Sequence, residues 1–451
     1  MPVATGRPGA VAAGLGLAPG LPHDAPVAWF RGAATATGTE VMARTVRAGT
    51  DAGLPIVGIL TGVGVPRQAG LDALDGWGRV ARALGEASGQ VPVVLVVDGP
   101  CLGGQALLIG LADVVVMTDA ARAYVNDPAA ASRLTGNELL DGDLLGGAWV
   151  HATRSGVADL VADDLDDALG LVADLLDLLP PNTHEVPRPV LPGDPPDRAS
   201  RRAAAVVPAD PRASYDVRDV IADVVDHDSF LELRARYGTS VVVGLARVGG
   251  MPVGVLANQP AQLAGALDIE GSVKGARFVR FCDSLNLPLV TLVDTPGFRP
   301  GRDQEWRGMI RHGAKLAFAY AEATVPRVCV VLRKAYGGAF IVMDCKSMGN
   351  DCAFAWPGAE IAVMGAKGAV EILHRRELAA LPAGPEREAR RCALEDSYER
   401  QHLTPATALE RGYIDAVIDP TETRAAVAGA LGALAAKRER LQARRHDNIP
   451  L

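Results

Sequence analysis

Aromatic residues make up only 4% of the 451-residue chain, and histidines number 8. So few histidines leave little material for a histidine-built metal centre or a Ser/His/Asp relay, and no such set stands out. The six cysteines, Cys101, Cys282, Cys329, Cys345, Cys352 and Cys392, form no CxxC pair, which removes zinc ribbons and thioredoxin-type redox chemistry. Most sit in apolar or Gly-rich surroundings and read as buried thiols in a reducing, cytoplasmic compartment. No apolar run reaches the ~20 residues that span a bilayer, so no membrane partner is expected. Residues 1–20 also lack the continuous apolar core of a signal peptide. Positive charge is short as well: 45 Lys and Arg against 53 Asp and Glu give a net charge of −8, which argues against nucleic acid as a main partner. The basic run Arg438–Arg445 is broken by Glu439, Leu441, Gln442 and Ala443 and reads as a solvated helix end.

Glycine and proline, by contrast, are abundant, at 50 and 31. They fall mostly between apolar runs and so indicate loop-rich α/β layers rather than disorder. The densest prolines lie in Pro180–Pro211, a stretch that suits an extended connector and not a central strand. The expected organisation is therefore one domain over residues 1–182, a Pro-rich linker over 183–212 and a second domain over 213–451.

The two halves carry a weak internal repeat. Leu54–Leu60 and Leu287–Val293 are short apolar runs fit for buried parallel strands. Each precedes a Gly/Pro loop and a helix-like segment, Leu71–Ala87 and Trp306–Ala323. A second strand follows, Pro92–Val97 and Pro326–Leu332, and then a glycine pair, Gly103-Gly104 and Gly337-Gly338. In both copies the first glycine stands eleven positions after the proline that opens the strand. Ala112–Met117 and Glu360–Met364 are the candidate third strands. Strand, helix, strand at this spacing implies right-handed βαβ units, though two generic units could match by coincidence.

Each glycine pair joins an apolar strand to an apolar helix. Glycine lets a ligand approach the backbone closely, and the first amides of a helix have no carbonyl one turn back to bond. Two such amides aimed at one oxygen would stabilise a developing enolate. The competing reading is a tight turn that only packs helix on strand. A phosphate cradle is disfavoured, because G-x-x-x-x-G-K-[ST] and a well-placed G-x-G-x-x-G are both missing.

Several longer segments resemble the carboxyltransferase β-subunits of biotin-dependent acyl-CoA carboxylases, of the actinobacterial acetyl-/propionyl-CoA type. They are Gly265–Arg280, Val293-Asp294-Thr295-Pro296-Gly297-Phe298 with Pro300-Gly301, Arg333–Met343, Ala355-Trp356-Pro357 through Ile361–Ala366, and Arg445–Leu451. The likeness is dense over residues 213–451. It implies an α/β fold of two crotonase-like (ClpP/crotonase) domains in one chain, each a stacked-sheet ββα-superhelix core. It further implies a ring-shaped homo-hexamer in which the N-terminal domain of one subunit faces the C-terminal domain of a neighbour. Acyl-CoA would be taken on the N-terminal side. Biotin, carried by a biotin carboxylase/biotin carboxyl carrier subunit, would be taken on the C-terminal side. No metal is implied in this subunit.

Carried over position by position, Gly103-Gly104 and Gly338-Ala339 would supply the two oxyanion sites. Gly337, Phe340, Pro296, Gly297, Gly64 and Arg67 would support cofactor and substrate. The resemblance implies that carboxybiotin releases CO2, that the biotin anion takes the α-proton of the acyl thioester, and that the enolate attacks CO2, with no side-chain base. Ile341 would select the acceptor, the matching position being Asp in propionyl-specific subunits and Ile in subunits that accept acetyl-CoA. Fatty-acid or polyketide precursor supply, through malonyl-CoA, is the expected use.

The N-terminal half departs from the pattern. The family's S-G-G-A-R loop falls on Gly62-Val63-Gly64-Val65-Pro66, with Arg67 adjacent. Its earlier Gly-rich turn falls on Arg31–Thr35, and its G-P-D motif on Asn126-Asp127-Pro128. Leu145-Gly146-Gly147, Ser155–Ala158 and Asp163–Ala168 agree well. Two other readings therefore stand beside the carboxyltransferase. One is a biotin-independent crotonase-type hydratase or decarboxylase, against which the duplication and the lack of placed glutamates weigh. The other is a non-catalytic assembly subunit with a decayed N-terminal site. His374, beside Arg375-Arg376, reads as a surface helix residue.

Overall fold

The computed structural model describes residues 11–33, 35–62, 70–136, 141–439, 441, 443 and 448–450. The chain divides into two units. The first is Met1–Arg188 with the short pieces Leu233–Tyr237 and Ser284–Asn286. The second is Pro189–Glu232, Gly238–Asp283 and Leu287–Leu451.

Runs of β-branched residues decide both sheets. Val93–Val97 (VVLVV) and Val114–Thr118 (VVVMT) are buried at every position, as strands covered on both faces must be. The first unit holds a six-stranded sheet in the order Ala12–Gly16, Val27–Gly32, Ile56–Leu60, Val93–Val97, Val114–Thr118, Leu160–Ala162. Its first pair is antiparallel and every later pair is parallel. The helices Ala36–Asp51 and Gly70–Ala87 make crossovers between the parallel strands. Thr35 starts the first of these, its hydroxyl oxygen accepting from the Gly38 amide at 3.1 Å. Gly58 sits in mid-strand because Phe30 occupies its place: a Cβ there would meet the ring at 2.3 Å.

The second unit repeats this plan. Its sheet runs Leu231–Leu233, Val241–Val248, Met251–Asn258, Leu289–Thr295, Arg327–Tyr336, Cys352–Ala355, Ala416–Val417, with Glu360–Ala362 paired to the far end of Arg327–Tyr336. Val241–Val248 and Met251–Asn258 are antiparallel, and the strands after them are parallel. A smaller likeness strengthens the duplication. In the first unit Pro100–Leu102 pairs in parallel with Arg122–Tyr124 beside the glycine turn; in the second, Lys334–Tyr336 pairs in parallel with Glu360–Ala362.

Four sequence expectations are corrected. The third strand of the second copy is Cys352–Ala355, which pairs with Val328–Val331, whereas Glu360–Ala362 belongs to the small pair just named. Trp306–Ala323 is two helices, Arg302–Trp306 and Met309–Glu322, broken at Gly308 with φ +91°. The second-copy strand runs on to Tyr336. Arg333, which suggests a strand end in the sequence, is buried there because Asp294 accepts from its Nε at 3.0 Å. Finally, Pro180–Pro211 is not extended throughout, since its proline-free part forms the helix Arg201–Val206.

Candidate active site

In the first unit, strand Val93–Val97 passes through Gly99 (φ +103°) and Pro100–Leu102 to Gly103, whose φ of +65° only glycine adopts without cost. Helix Gly104–Ile109 starts there. The Gly103 amide donates to the Tyr124 carbonyl at 3.1 Å, so it is committed to the small strand pair. The Gly104 amide is not bonded by another described residue. Trp77 lies against this turn: a Cβ on Gly104 would meet the indole at 2.7 Å. Cys101, directly before the turn, is buried, and burial pushes its thiol up to about 12, so it stays a packing group. Gly64 and Arg67 lie outside the described residues.

In the second unit the turn is built from two strand ends. Leu289–Thr295 leads to Pro296-Gly297-Phe298, with Gly297 at φ +136°. The Thr295 hydroxyl donates to the Gly297 carbonyl at 3.3 Å, and that carbonyl also accepts from the Leu267 amide at 3.1 Å. Arg327–Tyr336 leads through Gly337 (φ +58°) into helix Gly337–Val342. The Phe298 ring supports this helix, 3.5 Å from where a Cβ on Gly338 would stand and 3.2 Å from one on Gly313. Neither the Gly338 nor the Ala339 amide is bonded by another described residue.

A buried cluster ties the two strand ends together. Asp294 accepts from the Tyr215 hydroxyl at 2.9 Å, from Arg333 Nε at 3.0 Å and from the Lys334 amide at 3.2 Å. Arg333 Nη1 also donates to the Asp210 and Ala213 carbonyls at 3.1 and 2.8 Å. Burial raises the Asp294 carboxyl, and Arg333 opposes that shift.

Gly337, Gly338, Phe340 and Ile341 line one cavity of about 800 Å³. Its other walls include Cys345, Lys346, Ile361, Val363, Leu373, Tyr398, His402, Arg411 and Tyr413. Ile341 is 41% exposed and faces this space. Ala339 is buried beneath the wall and does not line the cavity. Pro296 and Gly297 do not line the cavity; they precede Phe298, whose ring stands beside Gly338. The Lys346 ammonium is neutralised by Asp415 at 2.7 Å. Tyr336 donates its hydroxyl to Glu360 at the rim. Burial and the neighbouring Glu360, Asp396 and Glu395 raise the Glu399 carboxyl.

Sequence reading missed Tyr398, His402, Arg411 and Tyr413. They come from the π-turn Glu399–Leu403, its flank and the helix Pro405–Glu410 with the turn after it, where no motif announces a wall. Among the described residues no group of three or more His, Cys, Asp or Glu is placed to hold a metal, and no helix is long and apolar enough to cross a membrane. His374 is not inside a helix: it is the half-buried turn residue between helices Ala366–Leu373 and Arg375–Ala380, and its Nδ1 meets Glu377 at 2.9 Å.

The carboxyl transferase domain model matches residues 11–449. The chain belongs to the carboxyl transferase family. This carboxyl transferase is 47% identical over 410 residues to the propionyl-CoA carboxylase beta chain of Saccharopolyspora erythraea, covering 88% of this chain and 75% of that one. It is 42% identical over 420 residues to the methylmalonyl-CoA carboxyltransferase 12S subunit of Propionibacterium freudenreichii subsp. shermanii, covering 93% and 79%. Among solved structures, a transcarboxylase 12S hexamer with methylmalonyl-coenzyme A and methylmalonic acid bound superposes with a TM-score of 0.93 at 40% identity, over 98% of this carboxyl transferase and 85% of that chain. The crotonase-like α/β fold expected from the sequence holds.

Proposed function

We propose that this carboxyl transferase moves a carboxylate from carboxybiotin to a short acyl-CoA, with acetyl-CoA as the main acceptor and propionyl-CoA as a second. The observation that carries the reading is the unbonded Gly338 amide on the wall of a largely apolar cavity of about 800 Å³, with the unbonded Ala339 amide buried directly behind it. These residues fit biotin: Ile341, Ile361 and Val363 offer apolar faces to its ring system, and Gly338 has no Cβ to keep a ureido oxygen from the amides. Biotin, when bound, supplies the carboxylate. The chain's part is to hold negative charge on an oxygen with fixed amides; removing one such donor typically costs 10²–10³ in rate. On the other side, Gly104 is the amide left to receive the thioester oxygen, since Gly103 is bonded to Tyr124.

Acyl-CoA is thereby given to the domain of residues 1–182 and biotin to residues 213–451, with 183–212 joining them. The partner is taken to be a biotin carboxylase/biotin carboxyl carrier subunit and the core to be a homo-hexamer. Ile341 selects the acceptor, and discrimination by one methylene, worth ~1–3 kcal/mol, leaves it incomplete. The inward bond of Gly103 favours one other reading, an assembly subunit without an acyl-CoA site. The test is carboxylation of acetyl-, propionyl- and butyryl-CoA by the full chain with its biotinylated partner, in parallel with Ile341→Asp. The expected result is malonyl-CoA and methylmalonyl-CoA, with the variant shifted toward propionyl-CoA. No product from any acyl-CoA, with calorimetry showing no CoA binding, would favour the assembly subunit. An unchanged preference in Ile341→Asp would remove Ile341 as selector.

A further inference from the structure

The helix Gly337–Val342 is six residues long, under two turns, and cannot hold its own shape without outside anchors. At its start the anchors are the Gly337 bend, the Lys334–Tyr336 pairing with Glu360–Ala362 and the Phe298 ring. Its end is held differently. Met343 closes the last turn, its amide donating to the Phe340 carbonyl at 3.1 Å, and Asp344 follows in the left-handed region at φ +63°. A non-glycine residue there is strained and persists only where its surroundings hold it. Here they do. Asp344 is 0% exposed, and its carboxylate accepts from Arg327 Nη1 at 2.8 Å and from Asn350 Nδ2 at 2.8 Å.

Arg327 is fixed in turn by three other segments. It opens the strand that ends at Tyr336, its Nη1 donates to the Tyr320 carbonyl at 2.8 Å, and its Nη2 donates to the Met348 carbonyl at 3.1 Å. Its own amide donates to Asp351 at 2.9 Å, which Lys437 also binds at 2.9 Å. One guanidinium thus joins the head of the strand to the tail of the helix, closing a brace around the glycine turn.

We propose that Asp344 is a positioning residue for carboxyl transfer: through Arg327 and Asn350 it sets the helix that presents the Gly338 and Ala339 amides and aims Ile341 into the cavity. The proposal rests on the assignment of those two amides to the reaction. An oxyanion donor acts over a range of tenths of an ångström, so a helix released at one end loses rate without losing the fold.

The test uses the full chain with its biotinylated partner and compares Asp344→Gly, Asp344→Asn and wild type. Glycine keeps the left-handed backbone free of cost and deletes the tie. Asparagine keeps both the backbone and an oxygen for Arg327. The expected result is a tenfold or greater fall in kcat for Asp344→Gly with the acyl-CoA KM within twofold, and recovery to within about threefold in Asp344→Asn. A wild-type kcat in Asp344→Gly overturns the proposal. So does a joint collapse of kcat, KM and melting temperature that asparagine fails to rescue, which marks a purely structural residue. Should Asp344→Gly not fold, Asn350→Ala removes one of the two ties and is read the same way, a threefold fall in kcat supporting and no change refuting. Gly338→Ala, whose Cβ would stand in ordinary contact with Phe298, is measured alongside. If it leaves the rate unchanged, the amide assignment itself fails; if it lowers the rate and Asp344→Gly does not, only the positioning role fails.

Discussion

Arg424 is wholly buried, and replacing it by methionine should loosen the Pro-rich segment from the rest of the second unit. Its Nε donates to the Pro195 carbonyl at 2.9 Å, Nη1 to the Val224 carbonyl at 2.9 Å, and Nη2 to the Asp194 carbonyl at 3.2 Å and to Asp226 at 2.6 Å. Methionine fills much of the volume and takes one donor from each of the four acceptors. Removing one partner of a buried ion pair costs about 3–5 kcal/mol. Asp226 retains the Gly249 and Gly250 amides at 2.8 and 2.7 Å and the Pro195 carbonyl retains the Arg198 amide at 3.1 Å, which lowers that cost, while the Val224 and Asp194 carbonyls, left without this donor, raise it by ~1 kcal/mol each. We expect a net loss of about 4 kcal/mol, close to a thousandfold in a local opening equilibrium. Hydrogen exchange read by mass spectrometry should therefore speed up by about two to three decades in residues 190–207 and 420–434, with residues 93–118 unchanged. Exchange at wild-type rates in both segments would refute the claim that this arginine staples the Pro-rich segment.

Other perturbations follow from the same geometry. Gly104→Ala drives a Cβ into Trp77 at 2.7 Å and should lower acyl-CoA affinity at least tenfold by calorimetry, at a stability cost of about 1–3 kcal/mol. Burial pushes the Asp344 carboxyl up to about 6 against the partial opposition of Arg327, so the native state holds this proton more tightly than the unfolded chain does. Its contribution to stability is then greatest below pH 4 and is lost as pH rises from about 4 to 6; melting curves across that window should show a term of this sign that Asp344→Asn removes. Alkylation should label the exposed Cys392 first and the half-buried Cys352 next, with Cys101, Cys282 and Cys329 reacting only on unfolding, because burial raises all three thiols.

The sequence shows the strands best where covering on both faces demands unbroken apolar runs, as in Val93–Val97. It misleads where tertiary pairing overrides composition. Arg333 stands inside a strand because Asp294 and Tyr215, far away in sequence, compensate it. Cys352–Ala355 is a strand because Val328–Val331 lies beside it, and four residues of mixed composition cannot signal that. Gly337-Gly338-Ala339 was legible as a bend, since glycine there has a conformational reason. The cavity beside the bend was not, because Tyr398, His402 and Tyr413 reach it through long-range folding. Gly103 shows the opposite limit: its positive φ could be anticipated, while the bond of its amide to Tyr124 could not.

Everything proposed for the site depends on main-chain amides of the second unit holding the biotin oxygen. A structure of the full chain crystallised with biotin tests this most directly. Biotin is expected in the cavity beside Ile341, with its ureido oxygen about 2.7–3.1 Å from the Gly338 and Ala339 nitrogens. Biotin bound elsewhere, or bound there with that oxygen turned away from both amides, would contradict it.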